Sequence, residues 1–229
     1  MSIRQTLIAA AIAAFGLTGA HAAEDKKPNL DRGKTGAPSA GAQAAEAVAT
    51  AHALARYGDA NKDALSLITA ARILKETGVR ADALKVAKGT EEAAKRSDDA
   101  LSADAVLERG RALAAGRPDL LALADDVAKA SSRGVDRGPQ VGRNKVVGSR
   151  AWHHYDLRFV GGELAKVYAR GDGDSDLDLY VYDERGNLIC KDDSPGDEMA
   201  CAWTPRWTGM FRIRVLNRGI ANQYSIVTN

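Results

Sequence analysis

GDGDSDLDLYVYDERGN, residues Gly171 to Asn187, changes character in its middle. Aspartates at 172, 174, 176 and 178 run into an alternation of Leu177, Leu179 and Val181 against Asp178, Tyr180 and Tyr182. The turn Glu184-Arg185-Gly186-Asn187 follows. Alternation with period two places one row on a core and the other on an outer face. The stretch therefore reads as the polar start of a half-buried strand. Its carboxylates admit two readings. Hard cations take several oxygen ligands, which alternate carboxylates on a loop can supply. Asp172, Asp174 and Asp176, with Asp192, Asp193 or Asp197, are thus candidate calcium ligands. An EF-hand loop does not fit: Asp183 falls at the twelfth position, but Leu177 stands where the sixth needs glycine. The other reading is carboxylates that solvate a strand end, block edge pairing and cap turn amides.

The same alternation recurs on both sides. Tyr155, Leu157 and Phe159 form one row. Phe211, Ile213 and Val215 form another, against Arg212 and Arg214, and Tyr224 and Ile226 close the series. Gly161-Gly162, Ser194-Pro195-Gly196 and Asn217-Arg218-Gly219 punctuate these runs as turns. Several short strands at such spacing predict an antiparallel sandwich or barrel. If the Leu177–Val181 row is the core, Tyr180 and Tyr182 line the outer face. With Arg212 and Arg214 they form a candidate recognition surface; the competing reading is a solvated sheet with cross-strand pairs. Trp207, with Trp152 and Trp203, is a candidate binding platform, although large aromatics also fill sandwich cores.

Cys190 and Cys201 are the only cysteines. "NLICK" and "EMACAWTP" read as consecutive strands around an acidic loop, so the pair is a predicted disulfide. Closing a loop of this size contributes about 3 kcal/mol in the chain-entropy picture.

The N-terminal half has a different chemistry. Phe15 and Tyr57 are the only aromatic residues before Ala151, and the region is rich in Ala, Leu and charged residues. Arg4, the apolar run "LIAAAIAAFGLTGA" and Ala20-His21-Ala22 read as a secretory signal peptide over residues 1–22, cut after Ala22. Residues 23–40 are polar and rich in Pro and Gly, and are expected as a disordered leader. Over 41–132, "QAAEAVATAHALARYG" and "NKDALSLITAARILKETG" show helical spacing. Gly58 and Gly78 are read as stops, Ser102 as an N-cap, and Pro118 as a first-turn residue. A loose internal repeat suggests two helical hairpins, in a bundle or a helical-repeat scaffold. "RADALKVAKGTEEAAKRSDDAL" reads as a loop or frayed helix. Residues 133–148, rich in Gly and basic side chains, read as a linker to a sandwich over 149–229. The predicted fold is α+β and multidomain.

Beyond the signal no segment is apolar enough to span a membrane. A net charge of +2 argues against a nucleic-acid binder. The two-cysteine count and the export signal place the chain in the periplasm or outside the cell.

"DSDLDLYVYDERGNLI", then "WTPRWTGMFRIRVLNRG", then "NQYSIVTN" resemble the bacterial pre-peptidase C-terminal domain, over about residues 141–229. That resemblance implies a small jelly-roll-like β-sandwich, an auxiliary role on a secreted protein, and relatives that bind collagen, some of them with calcium. No peptidase motif precedes it here: His-Glu-x-x-His and Gly-x-Ser-x-Gly are both absent. His153 and His154 are adjacent on a strand and point to opposite faces, so they do not readily share a metal. The first functional reading is a non-enzymatic exported protein that binds an envelope or extracellular protein or polymer through its sandwich. The others are an accessory subunit of a secreted hydrolase, and an enzyme using His153 or His154.

Overall fold

The computed structural model describes residues 27–77, 84–89, 102–130 and 140–229. The expected signal peptide lies outside them. In chain order the elements are β1 (Ala37–Pro38), α1 (Ala40–Asn61), α2 (Ala64–Glu76), β2 (Lys88–Gly89), α3 (Ala103–Leu113), α4 (Pro118–Lys129), β3 (Gln140–Val147), β4 (Trp152–Phe159), β5 (Glu163–Gly171), β6 (Leu177–Asp183), β7 (Leu188–Asp192), β8 (Glu198–Trp203), β9 (Gly209–Asn217) and β10 (Asn222–Thr228). The α+β fold class is as predicted.

Strands β3 to β10 make two facing sheets. One runs β8-β5-β10-β3 and the other β7-β6-β9-β4; β1 and β2 add short pieces to β5 and β4. Apart from β6 and β7, successive strands lie in different sheets, which is the wrapping of an antiparallel jelly roll. The alternation explains the interior. Tyr155, Phe159, Leu177, Leu179, Val181, Phe211, Ile213 and Val215 from one sheet meet Val167, Ala169, Met199, Trp203, Tyr224 and Ile226 from the other. Cys190 on β7 and Cys201 on β8 are joined, with Cα atoms 6.0 Å apart. The bridge therefore ties one sheet to the other.

The helices form a second core that is not closed on itself. Ala45, Val48, Ala51 and Ala55 of α1 and Leu67, Ile68, Ala71 and Leu74 of α2 pack together with Tyr168 and Val227 of the sandwich. Helix α1 buries Ala45, Val48, Ala51 and Ala55, and Leu65 of α2 is exposed. Gly58 does not stop α1. A Cβ there would come within 2.8 Å of Leu67 Cγ, so the glycine lets α2 approach, and the helix ends at Lys62 in the left-handed conformation. Ser39, Asp63 and Ser102 cap α1, α2 and α3 with side-chain oxygens, and Pro118 opens α4.

Three segments differ from the sequence reading. The expected disordered leader, from Asn29 to Ser39, is strapped along the sandwich. The Asn29 side chain is fully buried and pairs with the Trp207 backbone, donating to its carbonyl at 3.0 Å and accepting from its amide at 3.1 Å. The Asn29 amide donates to Asp183 at 2.9 Å, Asp31 N to Thr204 O at 2.8 Å, and Gly36 N to Thr204 Oγ1 at 2.9 Å. Asn29, Asp31 and Gly36 are held because each finds a partner far along the chain. Within the expected linker, Gln140–Val147 is strand β3, paired with β10; 133–139 lie outside the described residues. Within the expected loop or frayed helix, Leu84 enters the sandwich core and Lys88–Gly89 pairs with β4.

Candidate functional site

A jelly roll has two outer sheet faces, and this chain covers one. Helix α1 lies on the β5–β10 side. Lys166 Nζ reaches Glu46 at 2.6 Å, Arg170 donates to the His52 carbonyl at 2.9 Å, and Arg56 pairs with Glu198. The Tyr168 hydroxyl donates to Glu198 at 2.6 Å, and burial pushes its pKa up to about 12.

Among the described residues no helix covers the outer face of the other sheet. Strand register sets two rows across it. In the first, Lys88, His154, Arg214, Tyr180 and Lys191 stand side by side on β2, β4, β9, β6 and β7. In the second, Asp156, Arg212, Tyr182 and Leu188 do the same. A groove of about 720 Å³ opens where the second row adjoins His154 and Arg214 of the first, lined by His154, Asp156, Tyr182, Arg185, Met210, Arg212 and Arg214 among others.

Its charges divide unevenly. Arg212 donates to both oxygens of Asp156, at 2.8 and 3.2 Å. This pair holds the Asp156 carboxyl below its ordinary value and the guanidinium above its own. Asp183, also in the wall, is buried, which alone would raise it. Bonds from the Asn187 side chain and from the Asn29, Asn187 and Arg185 amides hold it below the ordinary value. Glu184 accepts the Trp207 indole N–H at 2.7 Å. Each of these three carboxylates is engaged. Arg214 makes no ion pair among the described residues; its Nε is buried without a hydrogen bond, and its guanidinium lies 5.4 Å from the Trp152 ring centroid. Lys88 sits over the same indole at 5.6 Å, and His154 stacks on it at 3.8 Å. Burial first, then Arg212 and Arg214, hold His154 down at about 4, so it is neutral at pH 7.

The structure brings together three of the five residues expected to form a surface: Tyr182, Arg212 and Arg214. Tyr180 shares the face, but its hydroxyl donates to Asp178 at 3.1 Å, in a cluster closed by Arg218. Trp207 borders the groove through Glu184, with Arg185 lying 5.1 Å over its ring. Sequence reading missed Asp156, Lys88 and the Trp152–His154 stack. Their signal is the β4–β9 pairing, which sets Asp156 opposite Arg212 and His154 opposite Arg214.

Of the two histidines, His153 points into the core. Its Nδ1 lies 2.8 Å from the Tyr224 hydroxyl, which is 2.5 Å from that of Tyr155. The candidate calcium ligands lie on two loops, Asp172, Asp174 and Asp176 before β6, and Asp193 and Asp197 before β8, with Asp192 ending β7. Asp176 accepts from Gly196 N at 2.9 Å and Asp172 from Gln223 N at 3.3 Å. Asp197 accepts from Gly173 N at 2.6 Å and Asn222 Nδ2 at 2.9 Å. Burial raises Asp172, helped by its bond with Asp174, and burial raises Asp197 to about 6. Among the described residues, no group of three or more His, Cys, Asp or Glu is placed to hold a metal ion. The geometry has these carboxylates capping turn amides.

No family model matches the chain, and no curated protein matches it. Among solved structures it is similar to the pre-peptidase C-terminal domain of a collagenase from Bacillus anthracis, at 8% identity over 39% of this chain and 73% of that one, TM-score 0.25. It is also similar to PliG, a periplasmic inhibitor of g-type lysozyme from Aeromonas hydrophila, at 16% identity over 40% and 80%, TM-score 0.25. A third is TmCBM61 in complex with β-1,4-galactotriose, at 17% identity over 37% and 63%, TM-score 0.25. Scores this low say nothing of what the chain binds; the pre-peptidase resemblance holds only as a β-sandwich. Among the described residues no helix is long and apolar enough to cross a membrane, and the disulfide is compatible with a periplasmic or extracellular setting.

Proposed function

We propose that this chain is an exported, non-enzymatic binding protein that holds a protein or polymer ligand on the open face of its sandwich. The observation that carries this is the asymmetry of the two faces. Helix α1 satisfies the cations of one sheet, while the other keeps a groove of about 720 Å³ in which Arg214, beside Tyr182 and Arg212, makes no ion pair among the described residues. The groove is open and lined by charged side chains beside Tyr182 and Met210, unlike the enclosing cleft typical of small-molecule sites. The histidines support the non-enzymatic part: His153 is committed to the core and His154 to the Trp152 stack.

The test uses the full mature chain on a panel of immobilised extracellular polymers and proteins. It is compared with a Tyr182→Ala, Arg212→Glu double variant and with Arg72→Glu, which lies on an exposed part of α2. Ligands lost by the groove variant and kept by the α2 variant support the reading. Ligands kept by the groove variant overturn it.

A further inference from the structure

We infer that the open face takes a carboxylated polysaccharide, laid across the strands along the row Lys88–His154–Arg214–Tyr180–Lys191. This rests on the proposed binding role of that face and adds the class of ligand.

The row crosses five strands with three basic residues and no carboxylate. At about 4.8 Å between strands it is about 19 Å long. Its central cation, Arg214, has no anionic partner among the described residues, and its Nε is buried without a bond. The Trp152 ring beneath fixes the guanidinium. A planar guanidinium matches a carboxylate bidentately, as Arg212 does with Asp156 in the next row. Lys88 is exposed at one end. At the other end Lys191 pairs with the surface residue Asp193 at 2.6 Å, a pair that exchanges at little cost. The neutral imidazole of His154 separates two cations without adding a third charge; its Nε2 is buried.

Other polyanions and peptides fit less well. Single-stranded nucleic acid is held by stacking bases on open aromatic faces. Here Trp152 is stacked by His154 and flanked by Lys88 and Arg214, and the Tyr180 hydroxyl is tied to Asp178. Peptides are anchored by apolar side chains in pockets or by added strands, and the row offers no apolar anchor.

The experiment titrates the full mature chain with polygalacturonate, with neutral dextran, and with single-stranded DNA. Polygalacturonate is expected to bind, with affinity falling as salt rises, and dextran not to bind. Arg214→Ala is expected to weaken polygalacturonate binding about tenfold or more, and Arg214→Lys to restore only part of it, because the fork is lost. Circular dichroism checks that each variant folds. If Arg214→Ala does not fold, the Lys88→Ala, Lys191→Ala pair tests the row at exposed positions, and unchanged affinity there overturns the inference. Equal binding of dextran, or DNA bound as tightly as polygalacturonate, also overturns it. A ligand other than polyuronate that is lost in the Tyr182→Ala, Arg212→Glu variant sinks the carboxylated-glycan assignment and leaves the binding face standing.

Discussion

The two outer faces of the sandwich carry similar residues and use them differently. On the covered face, Tyr168, Lys166 and Arg170 are all engaged with α1 or with Glu198. On the open face, Tyr182, Arg212 and Arg214 stand on the same kind of pleated surface, and among the described residues Arg214 has no carboxylate partner. Exposed cations beside aromatics are thus not in themselves a site. What marks one face is that the rest of the molecule satisfies the other.

The comparison can be broken most sharply by tyrosine truncation. Tyr168→Ala should cost about 4 kcal/mol, since it removes a buried aromatic by which the sandwich joins the helical core. Urea unfolding checks it, and a loss below about 1 kcal/mol would mean that α1 does not depend on that face. Next in size is the inter-sheet bridge. Replacing Cys190 and Cys201 with serine should cost about 3 kcal/mol, read as a lower denaturant midpoint that reductant no longer shifts. Asn29→Ala should cost about 2 kcal/mol, because it strands a buried amide and carbonyl of Trp207.

A smaller effect concerns pH. Asp197 is raised to about 6 by burial, with Asp172 and Asp174 adding repulsion. Its ionisation therefore opposes folding: stability is full below the ordinary value of 3.8 and is lost as pH rises through about 6. After discounting for solvent screening this is about 1 kcal/mol. His154, held down at about 4, acts the other way, its contribution being lost as pH falls from 6.5 through 4. Thermal unfolding of Asp197→Asn between pH 4 and 7 should lose the Asp197 contribution and keep the His154 trend, still opposed by Asp172, which burial also raises. Smallest is Tyr182→Ala on the open face, expected within about 0.5 kcal/mol of wild type. A cost near that of Tyr168→Ala would show that the open face is structural.

What the sequence revealed follows from how local each signal is. Rows such as Leu177–Leu179–Val181 and Phe211–Ile213–Val215 announce an inward face within one strand, so the sandwich was legible. So was the bridge, because two cysteines leave one pairing. The strap was not: Asn29, Gly36 and Pro38 are polar or turn-forming residues whose partners, Trp207, Thr204 and Leu164, lie far along the chain. Strand β3 hides in a basic, Gly-bearing stretch, and Lys88–Gly89 has no apolar pattern. The small residues of α1 concealed which stripe it buries. Half of the binding rows were visible as Tyr and Arg alternation. Asp156 and His154 joined them only once β4 was known to pair with β9.

The strap has a consequence for the order of folding. Asn29 bonds to partners 154 and 178 residues away, among the longest loops the chain must close. A chain that emerges from its N-terminus presents this segment first and can seat it only after β9 has formed. The amides of Asn29, Asp31 and Gly36 should then exchange with solvent early in refolding and become protected last. The stretch that looks most like a loose end thereby becomes a reporter of the finished barrel.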